Sequence, residues 1–153
     1  MILLDADVLL IDIRYPDDVR FPVNRELLDR LRSEGRLVGI TTQALLEIVG
    51  VLSFNVTSSK IDSLPDLLCV QYGLAPIPDP EHRPDFAGCS FREVVSQISR
   101  KMSLGDAVQA VQIERFASAE VCLLSWNAKH FVGKLAGHVQ TPAEWLAQHN
   151  PSG

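Results

Sequence analysis

Ile2-Leu3-Leu4-Asp5-Ala6-Asp7-Val8-Leu9 opens the chain, and its first half decides how the rest is read. Three consecutive apolar residues closed by an acid fit a short buried strand. Runs of the same kind recur at Leu37 to Ile40, Leu74 to Ile77 and Val121 to Leu124, with a last short one at His138 to Gln140. Helical patterns lie between them. Val23, Leu27, Leu28 and Leu31 repeat at helical spacing, with Arg30 and Arg32 late and Gly35 as a stop. Thr41 or Thr42 suits the N-cap of a helix running to about Ser53, apolar on most of its faces. Ser58 or Ser59 opens another stretch, which Pro65 must begin or kink.

Pro76, Pro78, Pro80 and Pro84 exclude regular helix and mark a loop that ends near Gly88. Ser90 and Glu93 then form a capping box before Val94, Val95 and Ile98. Ser103 and Asp106 repeat it in an acidic version before Val108, Val111 and Phe116. Thr141, Pro142 and Glu144 open a final short helix carrying Trp145. Strands alternating with helices predict an α/β fold with a central parallel sheet and helices on both faces. One domain over residues 1–150 is expected.

Composition sets the outer bounds. The chain has 153 residues, 46% of them hydrophobic and 22% charged, enough for one ordinary core. No repeat or low-complexity stretch stands out. The N-terminus has no basic leader, and Asp5, Asp7 and Asp12 interrupt the apolar run, which argues against a signal peptide or a membrane span and for a cytoplasmic protein. Cys69, Cys89 and Cys122 are far apart and fit a reduced compartment as core filler. The histidines form no His-x-x-x-His pair, so zinc has little support. A net charge of −5 argues against broad, non-specific nucleic-acid binding, but not against an enzyme that holds phosphate through metal ions.

The acids carry the chemistry. Asp5 ends the first strand, Glu47 lies one to two turns into the helix after the second, Asp106 falls in the first turn of its helix, and Asn127 follows the fourth strand. In a parallel α/β sheet Asp5, Glu47 and Asn127 share the edge where ligands bind, and Asp106 joins them if its helix enters from the same edge. Crowded carboxylates raise one another's pKa, and a hard divalent cation resolves the conflict. Such an ion can activate water and stabilise the leaving oxygen of a phosphodiester. Each acid also has a plainer reading. Asp106 suits a capping acid, Asp5 suits the cap of a following helix, and Asn127 suits a turn. Glu47 is harder to explain structurally, because Gln43 and Val51 give it no ion-pair partner one turn away. Ser125 serves either the site or the backbone. Lys129, His130, Arg14, Arg100 and Lys101 read as solvated surface, and Trp126 as packing.

Taken in order, these segments resemble the motifs of PIN-domain nucleases. Ile2 to Leu9 resembles the family's opening strand motif. Thr42-Gln43-Ala44-Leu45-Leu46-Glu47 resembles its second acidic helix, Ser103-Leu104-Gly105-Asp106-Ala107 its third acidic motif, and Ser125-Trp126-Asn127-Ala128-Lys129-His130-Phe131 its closing motif. The ordered set covers nearly the whole chain. The resemblance implies a three-layer α/β/α fold, dependence on Mg²⁺ or Mn²⁺, and hydrolysis of RNA phosphodiesters. It also implies kinship with the toxins of VapBC-type toxin–antitoxin pairs, neutralised by a small antitoxin and often dimeric. Carried over, Asp5, Glu47 and Asp106 are the metal ligands and Asn127 is a fourth catalytic position, with Asp7 and Ser125 in support. Asn127 stands where a fourth acid is frequent, and Asp7 where Asn, Ser or Thr is usual. An amide at the fourth position suits holding a metal-bound water rather than the metal.

Two rival readings follow from the same residues. Asp5-Ala6-Asp7-Val8 also fits the start of haloacid-dehalogenase-type phosphatases, with Asp5 as nucleophile, but the later motifs of that class are absent. A catalytically decayed PIN-like scaffold that only binds is the second rival.

Overall fold

The computed structural model describes residues 1–82, 88–118 and 120–149; Pro84, expected in the proline-rich loop, lies outside them. Its strands are β1 (Ile2–Leu4), β2 (Val38–Thr41), β3 (Leu74–Ile77), β4 (Cys122–Leu124) and β5 (His138–Gln140), each within a residue of the run that predicted it. All neighbouring pairs are parallel, in the order β3-β2-β1-β4-β5. The chain therefore builds outward from β1 to one side, then returns to build outward on the other.

The helices are α1 (Ala6–Arg14), α2 (Phe21–Ser33), α3 (Thr42–Ser53), α4 (Ser58–Ile61), α5 (Leu64–Tyr72), α6 (Phe91–Ser99), α7 (Leu104–Phe116) and α8 (Pro142–His149). The alternation of side chains along a strand divides them into two layers. Ile2 and Leu4 join Val38, Ile40, Leu74 and Leu124 on one face, covered by Val8 and Leu9 of α1, Leu27 and Leu31 of α2, Ile48 of α3, Leu68 of α5 and Trp145 of α8. Leu3 and Leu123 point the other way, into a smaller core with Ala107, Ala110 and Ile113 of α7 and with Phe131. The architecture is the three-layer α/β/α arrangement expected from the sequence. Gly39 sits beside Leu3 in the sheet, where an added Cβ would lie 2.7 Å from the leucine side chain.

Helix α1 has no clear signature in the sequence. Its apolar residues are nearly continuous, so periodicity is weak, and its carboxyl cap Asp5 is the strongest local signal. Thr41 caps α3 through Ala44 N, and the Ser90–Glu93 capping box forms in full. The acidic box at Ser103 forms only by half: Ser103 Oγ accepts from Asp106 N at 3.2 Å, while the Asp106 carboxylate turns elsewhere. Among the described residues, no helix is long and apolar enough to cross a membrane.

Candidate active site

Strand order reverses between β1 and β4, and ligands of open parallel sheets bind outside the strand ends at such a switch. Asp5 leaves β1 there and Ser125 leaves β4. Asp5 N donates to Leu124 O at 3.0 Å, which holds the two strand ends together. Asp5 is 7% exposed. Its Oδ1 accepts from Ala6 N at 2.8 Å and from the buried Gln109 amide at 3.2 Å. Its Oδ2 accepts from Ser125 Oγ at 2.6 Å. Asp5 is thus a helix cap that also meets Ser125 and Gln109, and Ser125 serves both readings: its hydroxyl donates to Asp5 while its oxygen accepts from the Asn127 backbone N–H at 2.9 Å.

Asp7, two residues into α1, faces the same loop. Its Oδ2 accepts from Asn127 N at 3.1 Å and from Asn127 Nδ2 at 3.2 Å, and lies 3.3 Å from Ser125 Oγ. The serine has one proton, and the shorter contact assigns it to Asp5. Asp7 Oδ1 is buried with no hydrogen-bond partner. The two departures from the family pattern therefore touch each other: the acid stands at Asp7, the amide at Asn127, and the pair keeps one carboxylate between them.

Glu47 and Asp106 complete the cluster. Glu47 sits on the outer part of α3, reaching solvent at the rim, and feels the charges of both Asp5 and Asp106. Asp106 is partly buried, with Oδ2 3.3 Å from His130 Nδ1. That contact gives the carboxylate a partner other than its own helix cap, while His130 remains exposed, as expected. Burial above all pushes the Asp5 carboxyl up, with a further push from Asp106 against three hydrogen bonds that lower it. Burial and the Asp5 charge push Asp7 up to about 7. Partial burial, then Asp5 and Asp106, raise Glu47. Asp5 and Glu47 thus carry negative charge that burial makes costly without a counterion, and both feel the charge of Asp106.

A divalent cation fits this donor set in a particular way. Among the described residues, no three His, Cys, Asp or Glu side chains form a ready-made metal cage. Asp106 lies near enough to raise Asp5 and Glu47, Asp5 also raises Glu47, and Asp7 Oδ1 is an orphaned buried oxygen. This suits an ion of the Mg²⁺ kind, which takes one or two carboxylates and keeps several waters.

Gln109 and Asn24 went unnoticed in the sequence. Asn24 is fully buried in α2, donates to Val8 O at 2.8 Å, and accepts from the Trp126 indole at 3.0 Å. It thereby pins the loop bearing Ser125 and Asn127 against α1. Trp126 is more than packing, and Arg20 lies over its ring, 5.8 Å from the centroid. Buried amides have no local signature, because their partners are remote in sequence.

No protein-family model matches the chain, and no curated protein matches it in sequence. Solved structures do. A structure of FitAB bound to an IR36 DNA fragment superposes with a TM-score of 0.60 at 15% identity, over 93% of this chain and 95% of that one. VapBC2 from Rickettsia felis, bound to a DNA fragment from its promoter, gives 0.57 at 16% identity, over 92% and 98%. At such identity the likeness is one of fold, and it spans both chains almost end to end. The parallel sheet, its switch point and these two matches together show that this chain has a three-layer, PIN-like fold.

Proposed function

We propose that the protein is a divalent-metal-dependent ribonuclease and the toxin of a toxin–antitoxin pair, working in the cytoplasm. The observation that carries this reading is the buried Asp5 at the sheet's switch point, held by Ser125 and Gln109, with the charge of Asp106 reaching both it and Glu47. Mg²⁺ or Mn²⁺, when bound, supplies an activated water and a counter-charge for the leaving oxygen. The chain's own groups do the rest. Asp5, held by Ser125, Gln109 and Ala6, and Asp106, beside His130, present fixed oxygens. Glu47 closes the rim, and Asn127 with Asp7 orients water at the mouth. His130 stands where it can meet a phosphate oxygen. Both oxygens of Asp5 are occupied by donors, the wiring of a ligand rather than of a nucleophile offered to phosphorus. That argues against the phosphatase reading.

The name VapBC2 is that of the pairs to which the sequence resemblance pointed. With a net charge of −5, this chain suits RNA held through metal ions better than duplex DNA held on a basic surface, so DNA contacts would fall to a basic antitoxin. The test is incubation of purified protein with total RNA in EDTA, Mg²⁺ or Mn²⁺, with cleavage ends mapped. Cutting in either metal and none in EDTA is expected. Intact RNA in all three would overturn the nuclease reading, and failure to bind either ion as well would point to the decayed scaffold.

A further inference from the structure

Helix α7 lies against the sheet, yet it carries two fully buried glutamines, Gln109 and Gln112, among alanines and β-branched residues. A buried amide is costly unless both its ends are used. Gln109 reaches Asp5. Gln112 reaches elsewhere: its Nε2 donates to Thr42 Oγ1 at 2.7 Å and its Oε1 accepts from Gln43 N at 3.0 Å. Those groups belong to the first turn of α3, whose early N–H groups have no partner within the helix. Thr41 satisfies Ala44 N from within the segment, and Gln112 satisfies Gln43 N from a different helix. Two turns away on α7 the helices also run close, since a Cβ added at Gly105 would lie 3.6 Å from the Gln43 side-chain amide.

The Gln112 bridge and this close approach lie beside the functional groups. Asp106 adjoins Gly105, and Glu47 lies one turn beyond Gln43 on the same face of α3. The spacing between the Glu47 helix and the Asp106 helix is thus tied by the two Gln112 hydrogen bonds. We propose that Gln112 is a positioning residue, acting through Thr42 and Gln43, that holds Glu47 at the distance from Asp106 at which a small divalent ion is bound. The inference rests on the metal-dependent reading above.

Calorimetric titration of the full chain with Mn²⁺ and with Ca²⁺, alongside thermal melts, tests it. Gln112→Met keeps the length of the side chain and removes both bonds. Thr42→Val keeps shape and removes one acceptor, so it answers even if Gln112→Met fails to fold. Thr42→Ser retains the hydroxyl. Gln112→Met and Thr42→Val should each weaken Mn²⁺ by about tenfold, the low end for losing an outer partner of a metal site. Ca²⁺, which tolerates a wider and looser site, should lose less. Thr42→Ser should bind like the parent. A fall in melting temperature with unchanged Mn²⁺ affinity, or an equal loss for Thr42→Ser, would overturn the proposal and leave the nuclease reading standing. A parent that binds neither ion would overturn both.

Discussion

At Asp106 a cap and a catalytic acid predict different outcomes for the same substitution. The carboxylate faces His130 while the capping bond is made by Ser103. Asp106→Asn should leave the fold intact and lower metal-dependent RNA cleavage by more than about 100-fold, beyond the range for outer-shell losses. Ser103→Ala should cost about 1 kcal/mol of stability and little activity per folded molecule. Parallel cleavage assays and urea melts check this, and parent-like cleavage by Asp106→Asn would return it to a structural role. Asp7 makes a pH prediction. Its carboxyl is raised from 3.8 to about 7, so between those values the folded protein keeps a proton that the unfolded chain has released. Stability without divalent ions should therefore fall as pH rises through that window and level off above it. Asp5 and Glu47, also raised, add in the same direction. Melts in EDTA should show the decline, and Asp7→Asn should flatten it in part. The exchange Asp7→Asn with Asn127→Asp should be coupled by about 0.5–3 kcal/mol, because Asn127→Asp alone sets two carboxylates together. Additive melts for the two single variants and the double would refute an exchangeable pair.

At the scale of elements, the site depends on how α1, α2 and the loop after β4 are tied. Asn24 is the knot, with Val8 O on one side and the Trp126 indole on the other. Asn24→Ala leaves a buried donor and acceptor unpaired, at about 1–3 kcal/mol for such a group. Trp126→Phe removes only the N–H from Asn24 and should cost less than Asn24→Ala, which chemical denaturation can rank. A larger loss for Trp126→Phe would mean that its ring packing, not the hydrogen bond, holds the loop. A second tie, Asp12 to Arg25 at 2.8 Å and to Tyr72 at 2.7 Å, joins α1 to α2 and α5 away from the chemistry.

For the whole molecule, the apolar character of α3 resolves into two parts. Leu45, Ile48 and Val49 are covered by the chain's own core, while Leu46 and the adjoining Phe54 are exposed, Phe54 at 89%. Leu67 and Val70 of α5 are exposed as well. Exposed apolar surface on packed neighbouring helices suits an antitoxin segment or a second copy of the chain. Phe54→Ser with Val70→Ser should lower the mass seen by light scattering, or weaken capture of the antitoxin, without reducing RNA cleavage. An unchanged mass and undiminished antitoxin binding would exclude this face.

The sequence by itself determined the five strands, the α/β class, the candidate residues at strand ends and helix starts, and the resemblance that names the fold. Those features are local: apolar runs of strand length, caps, and the shared edge that parallel topology imposes on Asp5, Glu47 and Asn127. Tertiary structure decided which plain reading of each residue wins. Ser125 turns to Asp5, Asp106 turns to His130, Asp7 meets Asn127, and Gln109, Gln112 and Asn24 become the ties between elements. Each of those contacts joins segments far apart in the chain. A hydroxyl, amide or carboxylate has no periodicity of its own, so its partner is fixed only when packing removes water and leaves one protein group within hydrogen-bonding reach.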